Sequence, residues 1–203
     1  MLLLLSMAFS PHHTDFMKPG QNWKWIQAHH WVQHPDFNNE NFHNDTMLLK
    51  LSHSAELTEW VRPIPLPEIN HHVSPGSECS VNGRSQTGVN TTTNRLLEAE
   101  QEVVSDGLCK GWYQHYDSTT VLCTSSSHAK KSAFQVNIPP PGDTGGPLVC
   151  DGKAQDIVSY GKPDGSAPQV FTRVSKYISW IKTAQADAIN GSIHLFSHDW
   201  RDS

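Results

Sequence analysis

The sequence lacks any run of about eighteen consecutive apolar residues, which is the length that a membrane-spanning helix needs. It also lacks an excess of basic residues, because 15 Lys and Arg stand against 20 Asp and Glu, for a formal net charge of −5. This charge, without a basic patch, gives no electrostatic reason for binding nucleic acid or an acidic membrane. We therefore expect neither as a partner. A chain of 203 residues is still long enough to bury a substantial core.

No Cys-X-X-Cys pair occurs, which argues against a zinc ribbon or thioredoxin-like chemistry. An even number of cysteines fits two disulfides formed in an oxidising compartment. The four are Cys79, Cys109, Cys123 and Cys150. Three Asn-X-Ser/Thr sequons also permit glycosylation in a secreted protein. They begin at Asn44, Asn90 and Asn190.

The N-terminal residues MLLLLSMAFSPHH contain a short apolar run that resembles the core of a signal peptide. No Lys or Arg precedes the run, and Pro11 follows the best small-residue cleavage site. Residues 1–21 are therefore interpreted either as a signal-like segment or as a leader outside the fold.

From residue 22 onward, short apolar or alternating runs are separated by Pro, Gly and Asn, a pattern typical of antiparallel all-β proteins. One segment departs from it: Val174, Ile178 and Ile181 recur at helical spacing, and Ser175 is a candidate N-cap. The sequence thus predicts a β sandwich or barrel followed by one terminal α-helix.

Residues 139–150, PPPGDTGGPLVC, place a hydroxyl residue at the centre of a glycine-rich turn. Glycines on both sides allow backbone amides to converge, as in an oxyanion pocket, so Thr144 is a candidate nucleophile. A glycine-rich hairpin turn without chemistry explains the spacing equally well.

Together with other segments, this stretch resembles the chymotrypsin-like (trypsin-fold) serine proteases, and most closely the granzyme, mast cell chymase and cathepsin G branch. GDTGGPLVC differs at one position from the signature GDSGGPLVC. Similar matches are found in HPDFNNENFHNDTMLLKLS, PGSECSVNGRS and AQDIVSYGKPDGSAPQVFTRVSKYISWIK. The resemblance covers residues 22 to 183 and implies an all-β fold, a trypsin-like double β-barrel with a C-terminal α-helix.

The resemblance also implies roles for individual residues. Asp45 would be the aspartate of the catalytic triad, and Thr144 stands where the nucleophilic serine is expected. The amides of Gly142 and Thr144 would form the oxyanion hole. The substrate-binding residues would be Ser159, Tyr160, Gly161 and Gln169.

The implied disulfides are Cys79–Cys150 and Cys109–Cys123, both within the second barrel. In the chain-entropy model, they restrict the unfolded chain by about 4 and about 3 kcal/mol. The implied organisation is a leader over 1–21, a remnant of the first barrel over 22–75, a second barrel over 76–174, and a C-terminal helix and tail over 175–203.

Three features depart from the family pattern. Neither an IIGG-like mature terminus nor a TAAHC segment with the general-base histidine occurs in the sequence, so we expect the N-terminal barrel to be incomplete. Asp143 would then lack the terminal amine that pairs with it in the family. Thr144 adds a methyl group that restricts the torsion needed for attack. Because triad members act as a unit, we expect a catalytically impaired serine protease homologue.

Other functions stay open at this point. They are an active or residual serine endopeptidase, a pseudoprotease that binds substrates or protease inhibitors without cleaving them, and a truncated product without a function of its own. By resemblance we expect peptide or protein substrates or protease inhibitors as partners, a monomeric state, and a secreted or secretory-granule location. We expect no cofactor.

Clusters of histidine and tryptophan near the N-terminus invite a different interpretation. His30 and His34 would share one face of a strand beside His29, but no third metal ligand is evident, so we predict no metal site. Three tryptophans alternate at strand spacing and are better explained as packing residues than as a ligand cage. They are Trp23, Trp25 and Trp31.

Overall fold

The computed structural model describes residues 2–5, 26–59, 61–83, 86–88, 91–92, 97–126, 145–162 and 168–190. Eleven strands and two helices lie in this part of the chain. They are β1 (Leu2–Leu5), β2 (Ala28–Gln33), β3 (Met47–Leu51), β4 (Glu78–Gly83), β5 (Gln86–Gly88), β6 (Thr91–Thr92), β7 (Leu97–Val103), α1 (Asp106–Trp112), β8 (Val121–Ser126), β9 (Pro147–Cys150), β10 (Lys153–Tyr160), β11 (Gln169–Arg173) and α2 (Val174–Asn190).

Six antiparallel strands close into a barrel in the order β10-β11-β8-β7-β4-β9. Their alternation directs one set of apolar side chains into the interior, as period-2 patterning requires. This core consists of Cys79, Val81, Val103, Leu122, Leu148, Cys150, Val158 and Phe171. The predicted all-β class is confirmed, and the barrel is its centre.

Both predicted disulfides are present. Cys79–Cys150 joins β4 to β9 across a sequence separation of 71 residues, and Cys109–Cys123 joins α1 to β8 across 14 residues. The first disulfide joins two strands of the barrel, and the second joins α1 to the barrel. The segment before residue 79 has no covalent link of this kind to the barrel.

A three-stranded antiparallel sheet of order β1-β3-β2 lies outside the barrel. In it β3 pairs on one side with β1, from Leu2 opposite Lys50 to Leu5 opposite Met47, and on the other side with β2. Residues 2–5, which sequence analysis assigned to the leader, thus form an edge strand of this sheet. A further two-stranded pairing joins β5 and β6.

The terminal helix α2 packs against both the sheet and the barrel. Val174, Tyr177, Ile178, Ile181 and Ala184 are buried on one helical face, against Leu48 of β3 and Ile157 of β10. Burial of each large apolar side chain contributes about 1.5–3 kcal/mol, so this face holds the helix in place. The helix is therefore the element that fastens the three-stranded sheet to the barrel.

The prediction that Ser175 caps this helix is wrong. The helix begins at Val174, and Ser175 lies inside the first turn, where its hydroxyl donates to the carbonyl oxygen of His71 at 2.7 Å. Ser175 therefore anchors the incoming connector and does not accept a bond from a helix amide.

Helix α1 was not predicted. Ser105 is its N-cap and accepts a bond from the amide of Leu108 at 3.4 Å, and Asp106 adds an acidic side chain in the first turn. The helix has only seven residues and two of them are glycine, so an apolar periodicity cannot develop. No helix in the described part of the chain is long and apolar enough to cross a membrane.

Candidate active site

Asp45 lies at the end of a hairpin-like loop that runs from His34 to Thr46. The loop is closed by backbone bonds from His34 to Thr46 at 3.1 Å and from Asn38 to His43 at 3.0 Å. Phe42 and Asn44 have φ angles of 56° and 55°, in the left-handed region that side chains other than Asn and Asp rarely adopt. These two left-handed residues turn the chain so that Asp45 points inward.

The Asp45 carboxylate is fully buried and accepts a hydrogen bond from the hydroxyl of Ser159, which is 2% exposed. The two residues are 114 positions apart, on the loop before β3 and on β10. A buried carboxylate is tolerated only when its oxygens are hydrogen-bonded, so Ser159 contributes directly to holding the Asp45 side chain in this position.

Tyr160, the next residue of β10, lies between two aromatic rings. Phe42 stacks on it with ring centroids 5.3 Å apart, and Tyr113 meets it edge-on at 5.4 Å. Burial raises the pKa of Tyr160 to about 12, with the nearby Tyr113 and Asp45 adding to the effect. The phenol therefore stays protonated at neutral pH, and the three rings make an apolar wall beside Ser159.

Gly161 and Gln169 are in close contact at the end of β10. The Nε2 atom of Gln169 donates to the carbonyl oxygen of Tyr160 at 2.6 Å, so the side chain lies across the backbone of the opposite strand. A Cβ built on Gly161 would collide with Oε1 of Gln169. Glycine is therefore required at 161 for Gln169 to keep this position.

Gly145 and Gly146, at the end of the glycine-rich turn, bond to β10 next to Ser159. The amide of Gly145 donates to the carbonyl oxygen of Val158, and the amide of Val158 donates to the carbonyl oxygen of Gly146, each at 2.9 Å. Val158 precedes Ser159 in the chain, and Thr144 precedes Gly145. Thr144 and Gly142 themselves lie outside the described residues, as do Trp23 and Trp25.

Comparison with known proteins identifies the family of the chain. The family model named Trypsin matches residues 15–181. The chain is a member of the trypsin family. It is 44% identical over 151 residues to Duodenase-1 of Bos taurus, a match covering 74% of this chain and 58% of that protein.

Two further similarities define the branch and the fold. Granzyme B of Homo sapiens is 38% identical over 180 residues, covering 88% of this chain and 70% of the relative. A solved structure of a protein named GrC matches with a TM-score of 0.73 and 39% identity, covering 83% of this chain and 73% of the other. These matches confirm the trypsin-like fold and the predicted likeness to granzymes.

The chain spans less than two thirds of the length of several relatives. It covers 58% of Duodenase-1, 61% of Mast cell protease 3 of Ovis aries and 56% of Cathepsin G of Mus musculus. Membership of the trypsin family therefore describes the matched region, and the activity of the chain is a separate question.

His34, which directly follows β2, is used for packing. His34 lies against the rings of Tyr177 and Trp180, with centroids 5.3 and 5.0 Å away, and burial lowers the pKa of its imidazole. Trp31 of β2 is half-buried. In the described part of the chain, no three His, Cys, Asp or Glu side chains converge on a position that could hold a metal ion.

One buried charged residue near the site was missed by sequence analysis. Asp156 lies three residues before Ser159 on β10, directly opposite Arg173 of β11, and is 1% exposed. Its Oδ2 atom has no hydrogen-bond partner among the described residues. Burial raises its pKa to about 8, although the positive charge of Arg173 acts in the opposite direction.

Proposed function

We propose that this trypsin-family chain binds peptides or protein inhibitors of proteases in the cleft beside Ser159 to Gly161, and that its own endopeptidase activity is impaired. The observation that carries the proposal is the buried Asp45–Ser159 hydrogen bond, with the aromatic wall next to it, in a chain that has Thr144 at the nucleophile position. These contacts support a binding surface, whereas the residue at the position of the attacking group is altered.

Binding is supported by the end of β10. In an antiparallel fold, an extended peptide pairs with a strand through main-chain hydrogen bonds, while pockets for alternate side chains supply selectivity. Gly161 has no side chain of its own and lies against the Gln169 side chain, and Tyr160 adds a rigid aromatic ring beside it. We propose Ser159, Tyr160, Gly161 and Gln169 as the residues that contact the ligand.

Impaired catalysis is supported by the chemistry of threonine. The extra γ-methyl group restricts χ1, so the hydroxyl reaches fewer of the orientations from which it can attack a carbonyl. A misplacement of about 1 Å costs on the order of 100-fold in rate. Thr144 would lower the rate in this way even with a general-base histidine in place.

The same geometry would allow a second function, residual serine-type endopeptidase activity. The intact hydrogen bond between Asp45 and Ser159 is the observation in its favour, because this aspartate is the group that would orient an imidazole. The amides of Gly142 and Thr144 would then form the oxyanion hole. We further propose a secreted or secretory-granule location, in line with the two disulfides, and, by likeness to the family, a monomeric state.

One experiment separates binding from cleavage. The folded chain and its Thr144→Ser variant are incubated with a fluorophosphonate probe, and both are titrated with a protein inhibitor of trypsin-family proteases by surface plasmon resonance. We expect no time-dependent labelling of Thr144 and equal inhibitor affinity for both chains. Labelling of Thr144 would establish residual catalysis. Folded protein that binds neither inhibitor nor peptide would contradict the binding function.

A further inference from the structure

The sequon that begins at Asn44 coincides with the site segment, since its three residues are Asn44, Asp45 and Thr46. A sequon is used when its asparagine and its hydroxyl residue are both accessible, as in a surface loop. In this chain the same three residues also form the turn that buries the carboxylate at position 45. Glycosylation therefore requires this segment to be accessible, whereas the fold buries it.

The Asn44 amide is engaged at both ends. Its Nδ2 atom donates to the carbonyl oxygen of Asp36 at 2.8 Å, and its Oδ1 atom accepts from the hydroxyl of Tyr177 at 3.1 Å. The first contact closes the loop and the second ties the loop to α2. A sugar on Nδ2 would have to share this nitrogen with the loop contact.

The other two sequon residues are enclosed more completely. Asp45 and Thr46 are both 0% exposed, and the Oγ1 atom of Thr46 is buried without a hydrogen-bond partner among the described residues. The amide of Thr46 donates to the carbonyl oxygen of Asn44 at 2.7 Å, which tightens the turn further. The hydroxyl that identifies a sequon is thus out of reach of an enzyme unless the segment opens.

We propose that folding closes the Asn44 sequon, so that this asparagine accepts an N-linked glycan only while the segment is unfolded. In the transfer, Nδ2 forms a bond to C1 of the sugar, the bond from C1 to the lipid diphosphate breaks, the lipid diphosphate leaves, and an amide proton is lost to solvent. Chains that fold first keep an unmodified Asn44. Chains modified first carry a glycan where the loop meets α2.

Thr46 offers a matched pair of variants. Thr46→Ser keeps the sequon, whereas Thr46→Val removes it and preserves the shape of the side chain. Because the Thr46 hydroxyl is buried and unpaired, the valine variant should fold with equal or greater stability. Neither variant alters the Asn44 side chain, so its hydrogen bonds with Asp36 and Tyr177 can form in both. A difference in glycan occupancy between the variants is therefore due to residue 46.

The test uses purified oligosaccharyltransferase with a lipid-linked oligosaccharide donor, and does not depend on where the protein resides. Wild type, Thr46→Ser and Thr46→Val are each supplied folded with disulfides intact, or reduced and unfolded, and occupancy of Asn44 is measured by peptide mapping. We expect occupancy in the unfolded wild type and serine variant, at least about tenfold less in their folded forms, and none in the valine variant.

Equal occupancy of Asn44 in folded and unfolded wild type would overturn the proposal, and so would an unmodified Asn44 in the unfolded chain. Failure here would leave the proposed peptide binding untouched, because inhibitor affinity is measured separately on unglycosylated protein. Conversely, a folded chain that binds no peptide would still show, by its glycan occupancy, whether folding blocks the Asn44 sequon.

Discussion

Asp156 should control the stability of the barrel at neutral pH. Its carboxyl group is buried opposite Arg173, yet the Nε atom of Arg173 donates to the carbonyl oxygens of Ser118 and Val121, at 3.2 and 3.0 Å. The guanidinium therefore lowers the cost of burying the charge only in part, and the pKa of Asp156 rises to about 8.

The direction of the pH dependence follows from the two pKa values. The unfolded chain loses this proton near its ordinary value of 3.8, whereas the folded chain holds it up to about pH 8. Between these values the folded state binds the extra proton, so the free energy of unfolding falls as the pH rises and levels off above about pH 8. At about 1.4 kcal/mol per pH unit, the penalty reaches about 4 kcal/mol at pH 7.

Asp156→Asn removes the ionisation and keeps the size of the side chain. Urea unfolding of the disulfide-intact chain should show the variant more stable than wild type by several kcal/mol near pH 7.5, with a much smaller difference near pH 4.5. Any cost of burying the new amide applies at both pH values, so the change in the difference is the readout. Asp151→Asn is the control, because it removes an exposed carboxylate from the adjacent turn. A difference that does not change with pH would refute the reasoning.

Two further predictions concern the site. Ser159→Ala removes the donor to the buried Asp45 carboxylate, so the free energy of unfolding measured in urea should fall by about 1–3 kcal/mol. Ser125→Ala on β8, where the serine is half-buried, is the control. An unchanged urea midpoint for Ser159→Ala would show that the hydrogen bond contributes nothing to stability. Gly161→Ala should displace the Gln169 side chain and so break its hydrogen bond to the carbonyl oxygen of Tyr160, at a cost of about 0.5–1.5 kcal/mol. In a chain that already carries Gln169→Ala, the same substitution should cost much less; additive effects in this double-mutant cycle would mean that the two side chains do not compete for space.

Much of the fold was predictable because the strands obey period-2 patterning and end at turn formers. The six barrel strands all lie in the region from residue 22 onward, where short apolar or alternating runs predicted β structure. The resemblance to the trypsin family supplied what patterning cannot, namely which cysteines pair. Helix α1 was not predicted because seven residues give too little periodicity. The start of α2 was misplaced because the Ser175 hydroxyl donates to the carbonyl oxygen of His71 and does not cap the helix.

The site was predictable as a set of residues but not as a set of contacts. Asp45 and Ser159 were both identified, although nothing in a sequence indicates that side chains 114 positions apart share a hydrogen bond. Asp156 was missed for a different reason. A carboxylate within a strand predicts a solvent-facing side, but residues 154–159 of β10 are buried throughout, between the barrel core on one face and Leu48 with α2 on the other.

The position of β10 explains why so much of the proposed function depends on one strand. Val158 faces the barrel core, Ile157 faces Leu48 and α2, and Ser159 bonds the carboxylate carried by the loop before β3. The disulfides join β4 to β9 and α1 to β8, so no disulfide holds the Asp45 loop, which packing and hydrogen bonds keep in place. Packing of the loop against α2 would therefore complete the proposed cleft and close the Asn44 sequon at the same time. An open loop would expose the asparagine and at once separate the carboxylate from Ser159.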